Sequence, residues 1–132
     1  MPRFSGIHHL ALTVRDLAAS VAFYQRVFGA PPAAQLEGQD LRRELFALPG
    51  GMNLGLTEHT PTITGTFTPF QPGLDHLGFA VDSREELALW AEHLTGLGIA
   101  HGGIVDVSYG SALSFRDPDE IALEFFTPRD DG

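Results

Sequence analysis

Three residues carry the strongest prospect of chemistry in this sequence: His9, His76 and Glu124. The two histidines open matching stretches, "HHLALTVRDLAASVAFYQRVFG" from His8 and "DHLGFAVDSREELALWAEHLTGLG" from Asp75. Both read x-H-L-x-φ-x-V, then a polar break, an amphipathic segment and glycine, with the histidines 67 positions apart. Glu124 sits in "IALEFF", where a lone carboxylate is costly to bury unless it is paired or ligated. The chain has no cysteine, so any metal must be held by imidazole, carboxylate, carbonyl or water. Two neutral imidazoles and one carboxylate make a facial triad for a divalent ion, leaving positions open for water, substrate or oxygen.

The repeat supplies the elements that would position these groups. In the first module residues 7–14 read as a strand, and Asp16 caps a helix over 17–28. Leu17, Val21, Tyr24 and Phe28 recur on one face of that helix. Gly29 ends it, and Pro31-Pro32 forbids its continuation. A short strand near 33–37 and two more over 40–48 and 52–58 follow, the last two joined by the "PGG" turn at 49–51. In the second module a strand over 76–81 leads to the capping box Ser83–Glu86 and a helix over 84–96. Leu87, Trp90 and Leu94 form its buried face, and Gly96 and Gly98 end it. Strands near 103–107, 111–116 and 121–126 complete this half, with "DPDE" at 117–120 as the last turn. The expected fold is α+β: two βαβββ modules, residues 1–58 and 74–132, joined by a linker over 59–73 in a single domain, their mixed sheets curling into a cup.

Parity along the strands separates the two adjacent histidines. His8 shares a face with Leu10, Leu12 and Val14, which should pack under the helix; His9 falls with Ala11 and Thr13. His76 falls with Gly78 and Ala80, opposite Leu77, Phe79 and Val81. Glu124 falls opposite Ile121, Leu123 and Phe125. The face of small residues therefore collects His9, His76 and Glu124 with room above them. His8 is then peripheral, and His59, His93 and His101 are expected at the surface in loop, helix and loop.

Composition narrows the partners. Eight arginines and no lysine stand against 17 acidic residues, for a net charge of −9. Such a surface repels phosphate backbones and disfavours nucleic acid. "MPRFSGIHH" has no apolar core of a signal peptide, and no apolar run reaches membrane-spanning length, so a cytoplasmic protein without a membrane partner is expected.

"IHHLALTVRDLAASVAFYQRVFG", "DHLGFAV" and "FRDPDEIALEFF" together resemble the vicinal oxygen chelate superfamily, which contains glyoxalase I, methylmalonyl-CoA epimerase, extradiol dioxygenases, fosfomycin-resistance thiol transferases and bleomycin-resistance proteins. The resemblance covers essentially the whole chain. It implies paired βαβββ modules curled around a metal or ligand, a homodimer, and family ligand positions falling on His9, His76 and Glu124. It also implies a divalent ion such as Fe, Mn, Zn or Ni and a small oxygen-chelating substrate. Glyoxalases and epimerases add a fourth ligand near the end of the first module. Aligning "NLGLTE" with "ALEFFT" sets Gly55 opposite Glu124, which argues against a four-ligand site; Asn53 or Glu58 would matter there only in a shifted register. The fosfomycin enzymes carry a Thr two residues after the first His, where this chain has Ala11, and a lysine, which this chain lacks. Many ring-cleaving dioxygenases draw all three ligands from one module, whereas here they come from both.

Two functions follow. The first is a metal-dependent enzyme of dioxygenase, lyase or isomerase type, with the ion stabilising an enolate or binding oxygen beside a catecholate-like ligand. Tyr109 is its candidate acid or gate, with loop packing as the alternative; Asn53, Ser114 and Arg116 are candidate substrate contacts. The second is a metal-free protein of the bleomycin-resistance type that sequesters a bulky cationic compound, to which the charge of −9 is suited.

Overall fold

A computed structural model describes residues 1–61 and 63–129. The chain divides into two compact units, Met1–Gly65 and the part from Thr66 onward. In the first, the order is β1 (His9–Thr13), α1 (Leu17–Phe28), β2 (Ala34–Glu37), β3 (Leu41–Ala47) and β4 (Asn53–His59). In the second it is β5 (Leu77–Ala80), α2 (Arg84–Gly96), β6 (His101–Val107), β7 (Gly110–Arg116) and β8 (Ala122–Pro128). Each unit forms a four-stranded mixed sheet, ordered β1-β4-β3-β2 and β5-β8-β7-β6. β1 is parallel to β4 and β5 to β8, and the remaining neighbours are antiparallel. These are the two βαβββ modules of an α+β fold.

Each helix begins where a side chain satisfies its free amides. Asp16 accepts from the Ala19 N–H before α1, and Ser83 from the Glu86 N–H before α2. Gly29 closes α1 at φ 74°, a conformation glycine adopts at no steric cost. The buried stripe of α1 is Leu17, Ser20, Tyr24 and Val27, with Val21 and Phe28 only half-buried. The stripe is thus turned by one position from the apolar pattern, with Ser20 and Val27 buried in place of Val21 and Phe28. Leu12, Val14, Phe46, Leu54 and Leu56 fill the space beneath it. In the second unit Leu87 and Leu94 are fully buried, and Trp90 stacks on Phe125 with ring centroids 4.1 Å apart. Phe125 in turn lies nearly parallel to Phe115.

Several strand ends need correction: His59 closes β4 rather than opening the linker, and His76 stands just ahead of β5 rather than inside it. β1 starts at His9 rather than residue 7, so strand parity does not extend to His8, which is exposed instead of packed under α1. β6 starts at His101 rather than 103, because Gly102-Gly103 form an irregularity inside the strand, with Gly103 at φ 71°, rather than a break before it. His101 is therefore half-buried: its Nε2 meets Thr95 Oγ1 at 2.8 Å, and its Nδ1 accepts from the Gly103 N–H at 3.1 Å. Among the described residues no helix is long and apolar enough to cross a membrane.

Candidate metal centre

The sheet face turned away from each helix carries the candidate residues. In the second unit the register pairs Gly78 with Glu124 and Glu124 with Ser114, so the three lie side by side across β5, β8 and β7. Gly78 makes this arrangement possible. A Cβ there would stand 3.3 Å from Glu124 Oε1, so the missing side chain is the space the carboxylate uses. His76, just ahead of β5, brings Nε2 to 3.3 Å from the same oxygen. Its Nδ1 lies 2.7 Å from Asp75 Oδ1. Asp75 is the main reason this imidazole holds its proton more tightly than a free histidine; partial burial works against it and Glu124 adds to it.

An open pocket of about 660 Å³ adjoins this pair, lined by His76, Glu124, Ser114, Arg116 and His101 among others. Arg116 is exposed and donates from Nη1 to the Glu120 carbonyl at 2.9 Å. Asp117, beside it, is buried, and its Oδ1 accepts from the Asp119 and Ile121 N–H groups. That carboxylate pins the turn that launches β8 toward Glu124. The sequence marked "DPDE" as a turn but gave no sign that its first aspartate is a structural anchor.

Tyr109 sits in the β6–β7 turn, 70% exposed, with its ring on Phe126 at 5.8 Å between centroids. Phe126 is two residues along β8 from Glu124 and has the same strand parity, so the Tyr109 ring packs against the neighbour of the carboxylate on that face.

In the first unit His9 is exposed at the head of β1, in register with Asn53 on β4. Its Nδ1 lies 2.9 Å from Nδ1 of His8, the two rings meeting edge to face. Glu58 is engaged elsewhere: Oε1 accepts from the Leu17 N–H at the start of α1, and Oε2 from Arg42. The structure thus brings together His76 and Glu124, with Ser114 and Arg116 around their pocket, and places His9 with Asn53 in the other unit. Among the described residues no group of three His, Cys, Asp or Glu side chains is clustered as a metal site.

Residues 6–125 match the model of the Glyoxalase/Bleomycin resistance protein/Dioxygenase superfamily. A glyoxylase/bleomycin resistance protein/dioxygenase domain from Frankia sp. EAN1pec is similar in structure at a TM-score of 0.88 and 36% identity, with 96% of this chain and 100% of that one covered. The metallothiol transferase FosB of Bacillus licheniformis is 29% identical over 92% of this chain and 75% of its own length. Catechol-2,3-dioxygenase of Bacillus subtilis is 30% identical over 93% of this chain, which spans 41% of that enzyme's length. The chain belongs to the Glyoxalase/Bleomycin resistance protein/Dioxygenase superfamily.

Proposed function

We propose that the protein is a divalent-metal-dependent enzyme acting on a small oxygen-chelating substrate, with His9, His76 and Glu124 as the ligands of Fe, Mn, Zn or Ni. The observation that carries this reading is the 3.3 Å approach of His76 Nε2 to Glu124 Oε1 above Gly78. Two adjacent ligands, each about 2.1 Å from a shared octahedral ion, stand about 3 Å apart. A nitrogen and an acidic oxygen at that spacing therefore suit such an ion with little movement. The relatives include a metallothiol transferase and a dioxygenase, which favours a metal-assisted reaction.

The ion, when bound, acts as a Lewis acid toward the oxygens of the substrate. The chain's own residues then divide the remaining work. Ser114, next to Glu124 on β7, offers a hydroxyl to a substrate oxygen. Arg116 sets a cation at the rim of the pocket, where it opposes negative charge developing on the substrate. Asn53 stands beside His9 and orients a substrate on that side. Tyr109 and Phe126 form an aromatic gate on the same sheet face, Phe126 being two residues along β8 from Glu124. The working form is a homodimer in the cytoplasm, checked by light scattering and by fractionation of the source cells.

The test is metal content after purification without added chelator, together with chelator-competition titrations of the wild type, His9→Ala, His76→Ala and Glu124→Ala. The wild type should bind one divalent transition ion per chain and each variant should lose it. A wild type with no such affinity overturns the reading. The net charge of −9 favours a second reading, sequestration of a cationic compound without metal. That reading expects thermal stabilisation by such compounds in the presence of chelator, and its absence counts against it.

A further inference from the structure

The residue before each candidate ligand histidine makes the same contact in both halves of the chain. Asp75 Oδ1 lies 2.7 Å from His76 Nδ1, and His8 Nδ1 lies 2.9 Å from His9 Nδ1. The repeat sets these pairs at equivalent places, ahead of β5 and at the head of β1. A neutral imidazole carries one N–H and one lone pair. A partner that accepts from Nδ1 leaves the lone pair on Nε2 and fixes the plane of the ring. Resting on the metal-centre reading above, we infer that Asp75 and His8 are positioning residues that occupy Nδ1 of His76 and His9 and commit Nε2 of each ring to the ion.

The two positions are not equal. An ionised carboxylate only accepts, so Asp75 allows one arrangement, with the proton on His76 Nδ1 and Nε2 turned to Glu124. His8 is itself an imidazole, and either ring of the pair can supply the shared proton. Only the arrangement in which His9 donates leaves its Nε2 free for a metal. Asp75 therefore constrains its neighbour more strongly than His8 does. Both residues are exposed, so changing them leaves the folded core intact.

The experiment measures Zn(II) affinity by chelator competition, and the visible spectrum of the Co(II) form, for the wild type, Asp75→Ala, Asp75→Asn, His8→Ala and His8→Gln. Circular dichroism and melting temperature verify the fold of each. Loss of an outer-shell partner of this kind typically lowers metal affinity about 10–100-fold. Asp75→Ala should fall in that range and His8→Ala at or below its lower end, each with an altered Co(II) spectrum. Asp75→Asn and His8→Gln, whose side-chain carbonyls still accept from Nδ1, should recover most of the loss. Wild-type affinity and spectra in both alanine variants overturn the inference while leaving the metal centre standing. An Asp75→Asn protein no better than Asp75→Ala also overturns it. A wild type that binds neither Zn(II) nor Co(II) overturns the metal centre and this inference together.

Discussion

The two units share one topology and opposite uses of the same sheet face. In the second, Gly78 on the outer strand leaves room for Glu124 on the neighbouring one. In the first, the register sets Ala11 against Gly55, and Gly55 holds the place that Glu124 holds in the other half. The space over Gly55 is taken: a Cβ there would lie 3.1 Å from Leu45 Cδ2 and 3.3 Å from Arg43 Cδ. Arg43 is itself held by Thr57 through a 2.7 Å hydrogen bond. One copy of the repeat keeps a carboxylate over an open glycine, and the other closes the equivalent space with its own side chains. Duplication thus supplied two scaffolds and two histidines, but only one carboxylate.

The largest expected break in this comparison comes at the carboxylate. Glu124→Ala should weaken metal binding by roughly 100-fold or more, beyond the usual effect of an outer-shell residue, with little change in melting temperature. Chelator competition checks it, and near-normal affinity would remove Glu124 from the ligand set. Next come two glycines with different surroundings. A Cβ at Gly110 would run into the Thr127 carbonyl and the Phe126 ring, and backbone cannot give way cheaply. Gly110→Ala should cost about 3 kcal/mol of stability. At Gly55 the approaches are longer and fall on the side chains of Leu45 and Arg43 rather than on backbone, so Gly55→Ala should cost about 1 kcal/mol. Urea unfolding of both variants gives the ratio, and equal losses would contradict the packing described for the two faces.

Much of this was legible in the sequence. The repeat of "HHLALTV" and "DHLGFAV" marked two modules, each opening on a histidine, because a period-2 strand followed by a capped helix leaves a strong pattern. Parity assigned Glu124 to the face that Gly78 leaves open, and His76, although it stands one residue ahead of β5, reaches that carboxylate at 3.3 Å. What escaped were contacts made by residues without a pattern. His101 was hidden by the glycine irregularity in β6, and Asp117 by lying in an ordinary turn motif. Glu58, a conceivable ligand on sequence alone, is drawn to the start of α1 by the Leu17 amide and to Arg42 across the sheet. Long-range partners of this kind follow from strand register, which sequence states only indirectly.

The helix anchors give a smaller contrast. α1 is held by Glu58, while α2 is held by Arg84, whose Nε and Nη2 donate to the two oxygens of Asp106. The Arg42 hydrogen bond is the first cause that holds the Glu58 carboxyl below the usual glutamate range, with the Leu17 amide second. A carboxyl lowered on folding stabilises the native state at neutral pH and loses that contribution as the pH falls through its folded value. Glu58→Gln should therefore lower the melting temperature by about 3 °C at pH 7, with the gap to wild type closing in acid. Because both partners are partly exposed, salt should shrink the gap as well. A gap that widens on acidification would contradict the anchoring role.

The smallest expected effect lies in the equivalent hairpin turns. Between β3 and β4 the chain turns on Gly50 and Gly51, both at positive φ near 89° and 88°. Between β7 and β8 the only positive φ belongs to Glu120, at 65°. A residue with a Cβ pays roughly 1 kcal/mol for that conformation, which glycine adopts freely. Part of the gain on substitution is offset by the greater freedom glycine brings to the unfolded chain. Glu120→Gly should thus stabilise the protein by about 0.5 kcal/mol in urea unfolding. The Glu120 carbonyl that receives Arg116 and the Glu120 N–H that donates to the Asp117 carbonyl are both backbone groups and survive the change. A loss of stability would instead mean that the Glu120 side chain contributes more to the turn than its backbone costs.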